Sequence, residues 1–319
     1  MAMTIYDISK KAGVSIATVS RVLNGSENVR PSTRKKVMDV IDKYDYTPNA
    51  FARGMGLHSL KTIGILCADS SDLFLAKAVY FLEQELQANG YESLLCCTGY
   101  NPDIKKNYLN LILSKKVDSI ILVGSHFIGF NEDENQYIKD VSTQVPIMLL
   151  NASFDHPNVY STLCDDYGTM FEAATEMIQS GITDILYLYD SKSYSGLKKL
   201  HGFCDAMKEY NIPGFEKLIH FYDGNIEHLN EVADFVARIA TKGTSFHGIM
   251  TSDDSLAIGS IKYAQKKGIR IPEELSVMGY NNSMLTNCCT PELTSVDNRL
   301  ETQTHQLVQT LLGVLAGEE

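Results

Sequence analysis

The chain has 319 residues, 44% hydrophobic and 21% charged, with a net charge of −11, which leaves room for two or three domains with ordinary apolar cores. Its longest apolar runs, such as Ile120-Ile121-Leu122-Val123, are strand-sized and far below the roughly 18 residues of a membrane span, and the opening MAMTIYDISKK has no apolar run of a secretory leader, so neither a transmembrane segment nor export is expected. Charge is unevenly divided: residues 1–60 carry +4 and residues 61–319 carry −15, a basic head on an acidic body, the asymmetry of a chain whose head meets a polyanion.

The head reads as three short helices. Thr4 caps the first, with Asp7 three residues on as the partner of a capping box, and Ile5, Ile8 and Ala12 share one side. After the turn Ala12-Gly13-Val14, Ser15 caps a second helix whose buried stripe is Val19, Val22 and Leu23, with Gly25 placed to end it. Ile16, Ala17, Ser20, Arg21 and Asn24 are left pointing outward, with no acid among them. A third helix is expected after Pro31 with Ser32 as its cap and Val37, Val40, Ile41 and Tyr44 as its apolar face. Two short helices joined by a Gly-containing turn and braced by a third form a helix-turn-helix unit. A helix entering a DNA groove must keep carboxylates away from phosphate, while Ser and Thr hydroxyls bond phosphate oxygens and Arg21 reaches a base edge.

From residue 62 the pattern alternates. TIGILCA, YESLLCC, DSIILVG, PIMLLN, DILYLYD, FHGIMTS and LSVMGY are strand-like, and helix-length segments such as Leu73–Asn89 and Glu172–Ser180 lie between them. Strand and helix in alternation predict parallel sheets with helices on both faces, an α/β body. Ligands in such sheets bind beyond the carboxyl ends of strands, so the candidates are Asp69, Asp72 and Phe74; Ser125 and His126; Asn151; Asp190; Ser252 and Asp253; and Asn281. The acidic run Asn131–Glu134 reads as a solvated helix start. The seven Cys form no C-x-x-C pair, which suits reduced thiols in a cytoplasm, and the vicinal pairs Cys96-Cys97 and Cys288-Cys289 read as packing residues. No P-loop, H-E-x-x-H, G-x-S-x-G or G-x-G-x-x-G run occurs and the eight His are dispersed, so neither an enzyme, a cofactor nor a metal site is expected.

Taken together, Tyr6-Asp7-Ile8, Ala12-Gly13-Val14-Ser15, Thr18-Val19-Ser20-Arg21-Val22-Leu23-Asn24-Gly25, Thr33-Arg34, Pro48-Asn49 and Ala52-Arg53 resemble the LacI/GalR family of bacterial transcriptional regulators. The likeness continues through Ile63-Gly64-Ile65, Ser252-Asp253-Asp254, Val277-Met278-Gly279-Tyr280 and Pro291-Glu292-Leu293-Thr294. It implies a helix-turn-helix head over residues 1–47, a hinge over 48–60, and over 61–319 a body of two interleaved α/β subdomains with a cleft between them, similar to periplasmic sugar-binding proteins. It also implies a homodimer on a palindromic double-stranded operator, with a sugar-like effector in the cleft. Carried over by position, Ile16, Ala17 and Arg21 face base edges, and Ser15, Thr18 and Ser20 lie near phosphates. Thr4, Asn24, Asn49, Ala52 and Arg53 complete the DNA-facing set, and Met55 stands where the family usually wedges a Leu into the minor groove. Because Gly54 and Gly56 flank Met55, the hinge is expected to fold only on the operator.

Three positions depart from the sugar-binding pattern. Asn151 and Asn281 stand where relatives commonly have Asp, and Lys199 stands where they have an Arg, which alone makes a planar two-point contact. The effector class is therefore open between an unusual sugar and a nucleoside-like molecule stacked on Phe74. A regulator answering to a partner protein, and a receptor of the transport type, remain as alternatives. The end at Leu311–Glu319 is expected to leave the last sheet one strand short of relatives, with no Leu heptad for a tetramer.

Overall fold

A computed structural model describes residues 3–23, 26, 28–46 and 59–317. The chain divides into two units, Met1–Thr62 with Lys116–Asp118, and the remainder.

In the first unit, α1 (Ile5–Ala12), α2 (Ile16–Leu23) and α3 (Pro31–Lys43) pack around Ile8, Val19, Val22, Val29, Val37 and Ile41. Each side chain so buried stabilises the head by about 1.5–3 kcal/mol relative to exposure. Gly13 ends α1 in the left-handed region at φ 68°, where a side chain would be strained, and so makes the tight turn into α2. Ser32 is not the cap of α3. Pro31 occupies the first helical position, where its fixed φ suits the helix and its missing N–H costs nothing, so Arg30 stands at the cap without a side-chain bond. Tyr44 is also displaced from the apolar face: it is exposed, with the Lys11 ammonium 4.3 Å from its ring centroid. At the end of this unit the Asp118 carboxylate accepts bonds from Ser59 Oγ at 2.9 Å, Leu60 N at 3.1 Å and Thr62 N at 3.0 Å.

The second unit has two lobes. Lobe one contains β1 (Thr62–Cys67), α4 (Leu73–Ala88), β2 (Glu92–Cys97), α5 (Pro102–Ser114), β3 (Ser119–Val123), α6 (Gln136–Ser142), β4 (Ile147–Leu150) and β5 (Val159–Thr162), in the sheet order β2-β1-β3-β4-β5. Its parallel ladder runs Ile63 beside Ser119 and Val123 beside Leu150. Lobe two contains α7 (Asp166–Gln179), β6 (Ile185–Tyr189), α8 (Tyr194–Glu209), β7 (Ile219–Phe221), α9 (Leu229–Thr241), β8 (Gly248–Thr251), α10 (Asp254–Lys267), β9 (Ser276–Tyr280) and β10 (Thr294–Val296), in the order β10-β9-β8-β6-β7. The final helix, α11 (Leu300–Ala316), returns to lobe one and buries Leu307, Val308 and Leu311 against Leu75, Val79 and Leu82 of α4. Among the described residues the chain thus passes between the lobes twice, through residues 163–165 and 297–299.

Strand β6 shows how the alternation of its side chains feeds two cores. Leu186 and Leu188 join Val232, Val236 and Leu256 under α9 and α10, while Ile185 and Tyr187 join Met170, Phe203 and Met207 under α7 and α8. The seven expected strands are all present, and three short ones, β5, β7 and β10, join them at sheet margins. The helix expected at Glu172 begins six residues earlier, because Asp165 caps it by accepting from Gly168 N at 2.9 Å. The acidic run leads into a short 3-10 turn at Asp133–Asn135 ahead of α6, and its Asn135 is buried. The Cys pairs pack only in part, since Cys97 and Cys288 are exposed.

Candidate functional site

On the head, the Thr4 hydroxyl accepts from Asp7 N while the Asp7 carboxylate accepts from Thr4 N at 3.0 Å, closing the capping box. The Thr4 hydroxyl, which donates to Asp7 Oδ2 at 2.6 Å, and then the Thr4 N–H hold the Asp7 carboxyl below its ordinary range, with Lys10 and Lys11 adding to the effect. Ser15 Oγ accepts from Thr18 N at 3.2 Å and lies 2.9 Å from Thr18 Oγ1, which starts α2. The outer side of α2 then presents Ser15, Ile16, Ala17 and Arg21 to solvent, with Thr18 and Ser20 half-buried beside them and no acid in the helix. Asn24, Asn49, Ala52, Arg53 and Met55 lie outside the described residues.

On the body, each cleft residue is placed by the end of a strand or the start of a helix. Asp72 caps α4, its Oδ1 accepting from Leu75 N at 2.8 Å. Ser193 caps α8, and its Oγ accepts from Ser125 Oγ of lobe one and from Ser191 Oγ, both at 2.8 Å. That chain of hydroxyls joins the lobes. Gly196 makes it possible, because a Cβ there would stand 2.2 Å from the Ser191 carbonyl oxygen. Asp253 caps α10, accepting from Ser255 N at 2.7 Å through Oδ1 and from Asn281 Nδ2 at 2.8 Å through Oδ2. Asn281 Oδ1 in turn accepts from Asn298 Nδ2 at 3.1 Å, which ties the cleft to the second connection between the lobes. Asp190 accepts from Ser252 Oγ at 2.8 Å.

An inner cavity of about 90 Å³ is lined by Asp72, Phe74, Ser125, His126, Asn151, Asp190, Lys199, Ser252, Asp253 and Asn281, which come from both lobes. It shares Asp72, His126, Asp190 and Asp253 with an outer space of about 610 Å³, where Asp69 lies with Tyr100, Asn225 and Glu227. Ser191, Ser193, Ser195, Gly196 and Ile226 also line the inner cavity. The serines follow directly after the DILYLYD run, so reading past the first residue of that loop would have found them.

Lys199 sits differently from an anchoring cation. It is 7% exposed, its ammonium donates to the Ser252 carbonyl oxygen at 3.0 Å, and it lies 3.8 Å over the Tyr280 ring. Tyr280 is itself held by Asp166, to which its hydroxyl donates at 2.7 Å. Burial pushes the Asp72 carboxyl up to about 6 against the Leu75 bond, with Asp253, Asp190 and Asp69 adding repulsion. Burial first and Asp190 second push Asp253 up as well, while the Ser255 bonds and Lys199 oppose the shift. Burial, then Lys105, lower His126 to about 4, so the ring is neutral near pH 7. Asn151 is 7% exposed, takes φ 60°, and leaves its buried Oδ1 without a hydrogen-bond partner.

A three-helix head with an acid-free second helix and a body of two parallel-sheet lobes around a polar cleft define a DNA-binding regulator built on a periplasmic-binding-protein scaffold. Residues 4–49 match the model of bacterial regulatory proteins of the lacI family, and residues 60–317 match that of periplasmic binding proteins and sugar binding domains of the LacI family. The chain belongs to the LacI family of transcriptional regulators and is not an enzyme. An HTH-type transcriptional regulator of Lachnoclostridium phytofermentans is 50% identical, over 99% of this chain and 94% of that one. Catabolite control protein A of Priestia megaterium is 33% identical over 93% of this chain and 87% of its own length. In fold, the chain is similar to a lac repressor dimer bound to operator and an anti-inducer, with a TM-score of 0.87 at 20% identity and coverage of 100% and 94%. Among the described residues no helix is long and apolar enough to cross a membrane.

Proposed function

We propose that this regulator is a cytoplasmic repressor that binds a palindromic operator as a homodimer and that a sugar-sized molecule in the cleft sets its affinity for DNA. The observation that carries this reading is that residues of both lobes line one polar cavity. A ligand touching both lobes binds the closed arrangement better than the open one and so shifts the balance between them, which is the differential affinity that coupling requires. Residues 1–47 form the DNA-reading head, 48–60 a hinge, and 61–319 the effector and dimerisation body. Ile16, Ala17 and Arg21 face base edges, and Ser15, Thr18 and Ser20 phosphates. The chain is similar in fold to a lac repressor dimer on its operator and to a regulator CelR in complex with cellobiose, which supports both halves of the reading.

The test is fluorescence anisotropy of the full chain on a palindromic promoter fragment, titrated with molecules that raise its melting temperature. A bound ligand should change operator affinity by about 5–150-fold. Equal operator affinity with and without a saturating ligand would sink the coupling.

A further inference from the structure

The cleft is rich in carboxylates. Its lining carries Asp69, Asp72, Asp190, Asp253 and Glu227 against the ammonium of Lys199 alone among the described lining residues. That ammonium is engaged with the Ser252 carbonyl oxygen and the Tyr280 ring, and its reach is spent on holding lobe two together. A second observation is independent of the acids: the Asn151 Oδ1, in a side chain more than nine-tenths buried on the inner wall, is an acceptor without a donor. An orphaned buried acceptor is costly unless something supplies a donor.

Both observations ask a ligand for N–H and O–H groups. A neutral polyol supplies donors but leaves several carboxylates enclosed with little opposite charge, which is unfavourable as water is expelled. A bare metal ion fits poorly, because no three His, Cys, Asp or Glu side chains among the described residues converge on one point. The acids instead surround a space of sugar dimensions.

We infer that the cleft ligand is a donor-rich organic cation of sugar size, an amino sugar or polyhydroxylated amine, whose ammonium sits among Asp72, Asp190 and Asp253 while a hydroxyl or N–H donates to Asn151 Oδ1. This rests on the reading that the cleft takes a small molecule. Charge-assisted hydrogen bonds to ammonium are about twice as strong as neutral ones, so charge dominates the selection. The groups facing such an ammonium are Asp69, Asp72, Asp190, Glu227 and Asp253 as acids, Lys199 as the opposing cation, and His126 as a neutral ring. Affinity should therefore rise with pH as Asp72 ionises around pH 6.

The test is calorimetric titration of the full chain with D-glucosamine, D-galactosamine and D-mannosamine, each against its neutral hexose and its N-acetyl derivative. At least one amine should bind about tenfold or more tightly than both neutral partners, a difference of about 1.4 kcal/mol. Asp190→Asn should cut that ratio to about threefold or less, and Asp72→Asn, which keeps the α4 cap, serves as a second variant if the first fails to fold. A neutral sugar binding as tightly as its amine, or no heat from any of the three amines, overturns the inference. An amine that binds yet leaves operator affinity unchanged supports the inference and sinks the coupling proposed above, so the two fail separately.

Discussion

The outer side of α2 and the wall of the cleft are two polar surfaces sorted by charge in opposite senses. On α2, hydroxyls and Arg21 are presented with no acid in the helix. In the cleft, five carboxylates face one engaged ammonium. The difference teaches that the net −11 of the whole chain hides local surfaces of opposite character. Against a polyanion a carboxylate is a liability, whereas in a cavity it is a way to choose a ligand.

The contrast breaks most sharply if an acid is placed on α2. Arg21→Glu should lower operator affinity on the order of a hundredfold, about 3 kcal/mol, by losing a base contact and adding repulsion, with ligand-induced melting shifts of the body unchanged. Operator affinity within threefold of the parent would show that α2 does not read the groove. Next comes Gly196→Ala, where the new Cβ meets the Ser191 carbonyl oxygen at 2.2 Å. Thermal melting should show a loss of about 1–3 kcal/mol, and an undiminished melting temperature would mean that the serine loop yields freely.

Asp72→Asn sharpens the comparison through pH. The raised carboxyl of Asp72 favours folding where it is protonated, and that contribution is lost as pH rises from about 4 through about 6. The amide caps Leu75 N equally well, so the variant should gain about 2 kcal/mol at pH 7 and nothing at pH 4. A gain equal at both pH values, measured by denaturant titration, would contradict the cause given. The smallest effect is expected from Thr4→Ala, which removes the α1 cap and should cost the head about 1 kcal/mol. No change in head stability would show that Asp7 alone holds the turn.

The two surfaces also differed in how far they could be read from the sequence. The head is local: a cap, a stripe and a turn fall within a few residues of one another, so Thr4, Ser15, Val19 and Val22 could be given their structural places directly. Ser32 does not cap α3 because a hydroxyl and a proline compete for adjacent starting positions, and the proline's fixed φ wins. The cleft is assembled from loops after eight strands of two lobes. The rule that ligands lie beyond strand ends brought its first residues into view, but chain order could not say that Ser125 would meet Ser193, 68 positions away. Nor could it say that Lys199 would turn to Ser252, since that depends on the depth of burial of α8 against β8 and β9. The three unforeseen strands have three or four residues each, too few for alternation to register.

Among the described residues the lobes share two connecting passages, residues 163–165 and 297–299, and both touch the wiring of the site. Next to the first, Asp166 holds Tyr280; within the second, Asn298 holds Asn281, which holds Asp253. A body joined at one point could swivel freely, but two joints leave it the motion of a door, a swing about the line through its hinges. A molecule held at Asp253 as proposed would thus pull on a hinge pin as well as on the door's face. An exchange at Asn298 should therefore alter how far the lobes swing and release Asn281, while Asp253 keeps its bond from Ser255 N.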